Sequence, residues 1–366
     1  MAPNTLPDDQ LNVIILITES PSQNGYIESL INAYIRAGHT VICDAHNFFF
    51  SNHTPDFIHI HWPERLYKWL SIEGIKKTDI HQTIKNRLAW YKSRNVKIIY
   101  TIHNLQPHGS HTNTEKDIYK TVLNHADILL HHCNKSIELV QKIYPFAQDK
   151  KNVVCPHGDY LIHYRNIPQL DARKKYNIPP EKIVTLNFGT QKPYKNTNLI
   201  NEAFDQLKID SKFLFIAGRY QNPGKNALAK LYYRFLSMVA QKFGSPKKKV
   251  LHKAIPTEEI PYLLNSADIV FLGQEHGLNS GLIALAATYS KPVVCPNIGC
   301  FKESIKEWQH ASYQAGNAAD AANALNKIYD KVLDNKKRNT AFDNTKWLAD
   351  SSWDKHVERI PLVSDS

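Results

Sequence analysis

Three loops in the second half of this chain carry residue types suited to holding an anion. The longest, Gly273-Gln274-Glu275-His276-Gly277-Leu278-Asn279-Ser280-Gly281, follows the short apolar run 269–272 and leads into an Ala- and Leu-rich stretch from Leu282. Its glycines allow backbone conformations that a side chain would forbid, and Asn279 or Ser280 suits the cap of a helix. A helix that starts at the carboxyl end of a parallel strand turns free N–H groups and the positive end of its dipole toward whatever lies above the sheet, which makes a seat for phosphate. An ordinary capped crossover helix uses the same residues, so this stretch does not decide the matter alone. The other two loops begin at Gly189 and Gly218, each closing an apolar run, and carry Lys192 with Lys195 and Arg219. Those cations are placed to meet a diphosphate, or are plain solvated charges.

The first half offers imidazoles. His103-Asn104 closes the apolar run 97–102 before a Pro-containing loop, and a neutral imidazole at a strand end can orient a hydroxyl or accept its proton. His59 and His61 share one face of a strand by its period of two and precede Trp62-Pro63-Glu64. Neither this pair nor His131-His132-Cys133 has further ligands at metal-binding spacing, so we expect no metal site; cleft-lining or core histidines fit better.

Strands and helices alternate to position these residues. Val13–Ile17, a polar loop ending at Gly25, a helix over Tyr26–Ala37 and a strand at 40–43 make a βαβ opening without a G-x-G-x-x-G fingerprint. Strands follow at 57–61, 97–102, 127–132 and 152–155. Residues 160–180 read as a linker with a short helix near 171–176. The alternation then restarts with strands at 183–188, 213–217, 250–255, 269–272 and 293–295, and helices at 197–207, 318–333 and 347–360. Residues 221–249 read as partly helical, ending in a surface trio Lys247-Lys248-Lys249. At 366 residues the chain exceeds one simple core and fits two α/β domains.

Composition bounds the rest. Five cysteines without a C-x-x-C pair point to reduced thiols and a cytoplasmic location. The first eleven residues lack the features of a signal peptide, and no run reaches membrane-spanning length. A net charge of +11 asks for nucleic acid, an anionic membrane or a polyanionic substrate. Between Glu64 and Lys97, nine basic residues face three acidic ones, with Trp69, Trp90 and Tyr91 interleaved. Peripheral contact with the inner face of an anionic membrane fits that pattern, and so does a solvated face. No nucleic-acid motif accompanies the lysines, so nucleic acid is not an expected partner.

Taken in order, His59-Ile60-His61-Trp62-Pro63, Thr101 through His108, Pro156-His157-Gly158, Phe188-Gly189 with Pro193-Tyr194-Lys195-Asn196, Ala217-Gly218-Arg219, and Asn279-Ser280-Gly281 with Lys291-Pro292-Val293-Val294 resemble glycosyltransferases of the GT-B architecture. The resemblance is to family 4-like members, among bacterial exopolysaccharide and lipid-linked-sugar enzymes described as mannosyltransferase-like. It implies two Rossmann-like domains facing each other across a cleft. An acceptor domain would span 1–165 with a return helix at 345–366, and a nucleotide-sugar domain 166–344. It implies a hexosyltransferase, of retaining type, that takes a UDP- or GDP-sugar as co-substrate and uses no metal or other cofactor. On the donor side it implies Gly25, Gly189, Lys192, Lys195, Arg219, Ala254, Ile255, Asn279, Ser280 and Gly281. His103 and Glu275 would stand at the transferred sugar, and His61, Glu64 and Asn104 on the acceptor side. Members commonly carry two glutamates with seven residues between them; here Glu275 fills the first place and Ile283 the second. Lys192 stands where an arginine is frequent. The competing readings are a sugar-nucleotide epimerase on the same fold and a basic non-enzymatic binding protein.

Overall fold

Short apolar runs without polar alternation belong in parallel strands covered on both faces, and both halves of the chain form such sheets. The structure, a computed structural model, describes residues 12–19, 25–72, 74, 76–107, 112–219, 246–306 and 308–362. His108 and the stretch 221–245 therefore lie outside the described residues. The chain divides into a first unit, Met1–Gly158 with Ser351–Ser366, and a second, Asp159–Asp350.

The first unit holds β1 (Ile14–Ile17), β2 (Thr40–Cys43), β3 (Phe57–Ile60), β4 (Lys97–Thr101), β5 (Ile128–His131) and β6 (Lys151–Val154). They form one parallel sheet in the order β2-β1-β3-β4-β5-β6. Its helices are α1 (Gly25–Arg36), α2 (Ala45–Phe50), α3 (Pro63–Ile72), α4 (Lys77–Lys92), α5 (Asn113–His125) and α6 (Asn134–Ile143). The second unit repeats the plan with β7 (Ile183–Phe188), β8 (Lys212–Ala217), β9 (Lys248–Leu251), β10 (Ile269–Phe271), β11 (Val293–Pro296) and β12 (His310–Tyr313) in the parallel order β12-β11-β10-β7-β8-β9. Helices α7 (Gln169–Lys175), α8 (Thr197–Gln206), α9 (Ile260–Ser266), α10 (Gly281–Thr288), α11 (Phe301–Ser304), α12 (Ala318–Arg338) and α13 (Thr345–Asp350) accompany it. In each sheet the order reverses once, between β1 and β3 and between β7 and β10, and such points are where open α/β sheets bind ligands.

Several expectations change. Lys248 and Lys249 lie half-buried in β9, which ends at Leu251 instead of reaching Ile255. Their stems lie along an edge strand while their ammonium groups reach Asp205 at 2.7 Å and the carbonyl of Tyr176 at 2.5 Å. The edge strand β12 went unseen because His-Ala-Ser-Tyr has no apolar run to mark it. The single helix expected over 347–360 is two: α13 belongs to the second unit, and α14 (Trp353–Glu358) to the first. Ser352 makes the break by capping α14, its hydroxyl accepting from the Lys355 N–H at 3.3 Å. Cys43, Cys155 and Cys295 are free thiols, while Cys133 and Cys300 are not, which corrects the expectation of an all-reduced set. No helix among the described residues is long and apolar enough to cross a membrane.

Within the first unit α14 closes the core: Trp353, Val357 and Ile360 share one apolar cluster with Ile15, Tyr26 and Leu30. Arg36 of α1 adds an ion pair to Asp354 at 2.5 Å. The indole of Trp353 lies so near Gly158 that a Cβ there would come within 2.2 Å of it. Gly158→Ala should therefore displace α14 and lower the melting temperature by several degrees, the scale of an overpacking cost of about 1–3 kcal/mol. An unchanged melting temperature would contradict this seating of Trp353.

Candidate functional site

The carboxyl edge of the second sheet is built by backbones in close approach. The Gly189 N–H donates to Ala217 O at 3.0 Å, that of Gly218 to Leu251 O at 2.9 Å, and that of Gln191 to Arg219 O at 2.9 Å, which ties the loops behind β7, β8 and β9 together. A Cβ on Gly218 would stand 1.9 Å from Gly189 O, so this contact exists only because the side chain is missing. Lys195 closes a single 3₁₀ turn, Pro193–Lys195, and its ammonium rests beside Gly189, 3.2 Å from where a Cβ would be. Behind it Gly273 packs so tightly that a Cβ would meet Lys195 O at 2.7 Å and Ile200 at 2.8 Å. Burial, helped by the neighbouring Lys192, pushes the Lys195 ammonium down to about 8.

Asn196 follows in the left-handed region, φ 41°, a conformation asparagine tolerates. Its Oδ1 caps α8 by accepting from the Leu199 N–H at 3.0 Å, and its amide donates to Glu275 Oε1 at 2.7 Å. The Glu275 N–H donates to Tyr194 O at 2.8 Å, so the backbone of this exposed residue is held by Tyr194 and its carboxylate by Asn196. The buried Gln191 amide donates to Asn187 Oδ1 at 3.0 Å and to Gly189 O at 3.1 Å, and accepts from Thr197 Oγ1 at 3.2 Å. Ser280 occupies the N-cap of α10 but makes no side-chain cap, so its hydroxyl does not satisfy the N–H groups of the first turn. Cys300 N–H donates to Leu278 O at 2.8 Å and pins the loop that enters this helix. Gln274, without a signal in the sequence, is buried at 7% exposure, and its Oε1 has no partner among the described residues.

The structure thus places the Lys195 ammonium against Gly189 and ties Glu275 to Tyr194 and Asn196 on either side of Lys195, with Arg219 tied by its carbonyl. Lys192 faces the Tyr194 ring at 5.9 Å, Ala254 is exposed on the connection after β9, and Ile255 packs on the core. Gly25 is the first residue of α1 and belongs to the first unit, while the other donor-side candidates belong to the second. Asn196, Gln191 and Gln274 are the additions, and only Asn196 had a signal, since asparagine before a helix is a cap candidate.

Histidines line the corresponding edge of the first sheet. His59 bonds Tyr34 Oη at 3.0 Å and Thr101 Oγ1 at 2.7 Å, and His61 Nδ1 meets His103 Nε2 at 3.2 Å. His103 stacks on Trp62, ring centroids 4.2 Å apart. Nδ1 of His132, His157 and His356 faces the carbonyls of Cys155, Gly158 and Pro156 at 2.9, 2.7 and 2.8 Å. A carbonyl only accepts, so each Nδ1 carries the proton and leaves Nε2 as an acceptor. Tyr26 sits against His61, His103, His132, His157 and His356 with edge-on geometry. Burial first, and neighbouring histidines second, hold His61, His103 and His132 well below the ordinary imidazole range; His157 and His356 lie at about 4. Of the other acceptor-side candidates, Glu64 is buried and accepts from Tyr119 Oη, and Asn104 is half-buried in the loop behind β4. Among the described residues no group of three or more His, Cys, Asp or Glu is placed to hold a metal ion.

Residues 168–346 match the family model described as glycosyl transferases group 1. No curated protein matches the chain in sequence. Solved structures similar to it include sucrose-phosphate synthase from Thermosynechococcus elongatus, with TM-score 0.62, 15% identity, and 95% of this chain covering 94% of that one. The catalytic domain of starch synthase IV from Arabidopsis thaliana bound to ADP and acarbose gives 0.63 and 11%, over 96% of both chains. Anabaena HepE in complex with UDP and glucose gives 0.60 and 13%, over 95% of both. The second unit therefore carries a group 1 glycosyltransferase domain, and the chain has the GT-B fold.

The histidine cluster fixes a sign for stability against pH. Its groups keep depressed values when folded and return to about 6.5 when unfolded, so the unfolded chain binds more protons as pH falls. Stability should be full above about 6.5 and decline toward pH 4, by up to about 1.4 kcal/mol per pH unit for each histidine. Melting curves between pH 7.5 and 5 check this, and a flat profile would show that the cluster is not held neutral.

Proposed function

We propose that this GT-B glycosyltransferase moves a sugar from a nucleoside-diphosphate sugar, UDP- or GDP-linked, to a glycan or lipid-linked acceptor in bacterial polysaccharide or glycoconjugate synthesis. The second unit would hold the donor and the first would receive the acceptor, with no metal ion required. The observation that carries this reading is the partly desolvated Lys195 ammonium beside Gly189, on the sheet edge that also bears the uncapped start of α10. An ammonium and helix N–H groups supply the charge stabilisation that a leaving diphosphate needs, and they do so without reorganising at the moment of reaction. Glu275, held by Asn196 and Tyr194, offers a fixed acceptor to a sugar hydroxyl, and the neutral His103 suits orienting a hydroxyl or taking its proton. The similarity to proteins solved with UDP, glucose or ADP supports a nucleotide-sugar donor. The family 4-like and mannosyltransferase-like character and retention of configuration rest on the sequence resemblance.

The same reading includes peripheral membrane contact through α3 and α4. Part of the basic charge there is already engaged. Arg87 bonds the carbonyls of Phe48 and Ser51 and stacks on Trp90 at 3.9 Å, and Lys92 pairs with Asp127 at 2.5 Å. Lys68 and Lys85 remain exposed, and Trp69 packs against Phe49 and Phe50, of which Phe50 is 54% exposed.

Melting-temperature shifts with UDP-, GDP- and ADP-sugars should identify the donor, since ligand binding to the folded state raises the transition. Lys195→Ala should lower turnover roughly 100-fold, about 3 kcal/mol of transition-state stabilisation. Because Lys195 must be protonated to meet the diphosphate, nucleotide affinity should fall as pH rises through about 8 in the parent enzyme and lose that step in the variant. A parent-like rate and pH profile in Lys195→Ala would remove this residue from the site. Co-sedimentation with phosphatidylglycerol vesicles at low salt, abolished at high salt, is expected for the membrane contact; failure to sediment would dismiss it.

A further inference from the structure

The carboxyl end of β1 holds two polar side chains that the reading above leaves unused. Thr18 is 1% exposed, and its Oγ1 has no hydrogen-bond partner among the described residues. Glu19 is 5% exposed; among the described residues its Oε1 also lacks a partner, and its Oε2 has the Arg65 guanidinium 3.8 Å away on an exposed side chain. The backbone beneath them is fixed on both sides. The Thr18 N–H donates to His59 O at 3.2 Å, and the Cys43 thiol donates to Glu19 O at 3.1 Å. These residues sit where the order of the first sheet reverses, between β1 and β3. Buried polar atoms without partners cost stability, so a rigid pair of them at a switch point has the character of a prepared site.

The chemistry of the pair selects the ligand. Burial pushes the Glu19 carboxyl up to about 8, with Arg65 opposing and Glu64 reinforcing the shift. At neutral pH it is a carboxylic acid, able both to donate and to accept, as the threonine hydroxyl is. Among the described residues Arg65 is the one cation paired with Glu19, and the Glu64 carboxylate acts on the same group, so a phosphate gains little here. A neutral polyol, which offers hydroxyls that give and take hydrogen bonds, matches both groups. We propose that Thr18 and Glu19 form a hydroxyl-binding site in the first unit that recognises a sugar of the acceptor. This rests on the glycosyltransferase reading for its role, but as a binding site it stands on its own residues.

Ligand-observed NMR with a panel of p-nitrophenyl glycosides tests it without needing the donor. Thr18→Val and Glu19→Leu keep the shape while removing the unpartnered atoms. Both should fold with melting temperatures at or above the parent's, and both should weaken glycoside binding at least tenfold. Glu19→Gln, which also donates and accepts, should restore affinity to within a few-fold. Lys195→Ala, which is aimed at nucleotide binding in the second unit, should leave glycoside binding intact, so that loss of the donor reading and loss of this site are told apart. The proposal is overturned if no glycoside binds the parent protein, if Thr18→Val and Glu19→Leu bind as the parent does, or if these variants melt well below it, which would make the two side chains structural.

Discussion

A lysine ammonium held against bare backbone is the constraint on which the second unit depends. A charge that has lost part of its hydration is unfavourable until an anion arrives, and the backbone that carries Lys195 is fixed in place. Its turn is locked by the Lys195 N–H donating to Lys192 O at 2.9 Å, and its carbonyl is pressed against Gly273. Gly189, Gly218 and Gly273 matter less for freedom of dihedral angle than for the volume they leave empty, because any Cβ would push apart three loops that must converge. The Asn187, Gln191 and Thr197 side chains then hold the β7 loop by hydrogen bonds that are all satisfied. Such preorganisation spares the reorganisation that water would need around a developing negative charge.

The first unit handles polarity in the opposite way. Its edge is crowded with ionisable groups, yet burial lowers the pKa of its histidines, so these imidazoles are polar without being charged. Three successive carbonyl contacts from the segment after β6 dictate tautomers in His132, His157 and His356, and one of those rings arrives on α14 from the far end of the chain. The terminal helix is therefore part of the polar edge as well as of the apolar core. Neutral imidazole and carboxylic acid groups suit hydroxyls, while a fixed ammonium and open helix N–H groups suit phosphate. The two sheets, both parallel and six-stranded but of different strand order, present different chemistry because different residues sit at their strand ends.

How much of this was legible follows from what kind of signal each part leaves. Buried parallel strands announce themselves as apolar runs, and β7 was read to the residue over 183–188. Edge strands such as β9 and β12 mix lysine, histidine and serine with few apolar residues, and they were misplaced or missed for that reason. Glycine, proline and lysine clusters at strand ends pointed to the loops behind β7, β8 and β10, since the same local chemistry makes both the turn and the ligand seat. Burial of a polar side chain leaves no such trace. Nothing in Ile17-Thr18-Glu19 or Gly273-Gln274-Glu275 distinguishes the side chain that packs from the one that faces solvent, because that depends on which neighbours fold over it. Ser280 shows the converse error: its type is right for a cap, but a hydroxyl that could close the helix does not do so.

The distribution of unsatisfied atoms carries the final step. Among the described residues Thr18 Oγ1, Glu19 Oε1, His61 Nε2 and His132 Nε2 in one unit, and Gln274 Oε1 in the other, are buried, lack partners and follow the carboxyl ends of strands, while Ser29 Oγ and His39 Nδ1, also without partners, lie elsewhere. Natural proteins satisfy nearly all buried polar groups, and each exception lowers stability by about 1–3 kcal/mol. Apolar residues at these positions would make a firmer protein. Keeping polar atoms there is reasonable only if something completes their hydrogen bonds for part of the working cycle, and each of these strand ends lies on the edge where an open α/β sheet receives its ligands.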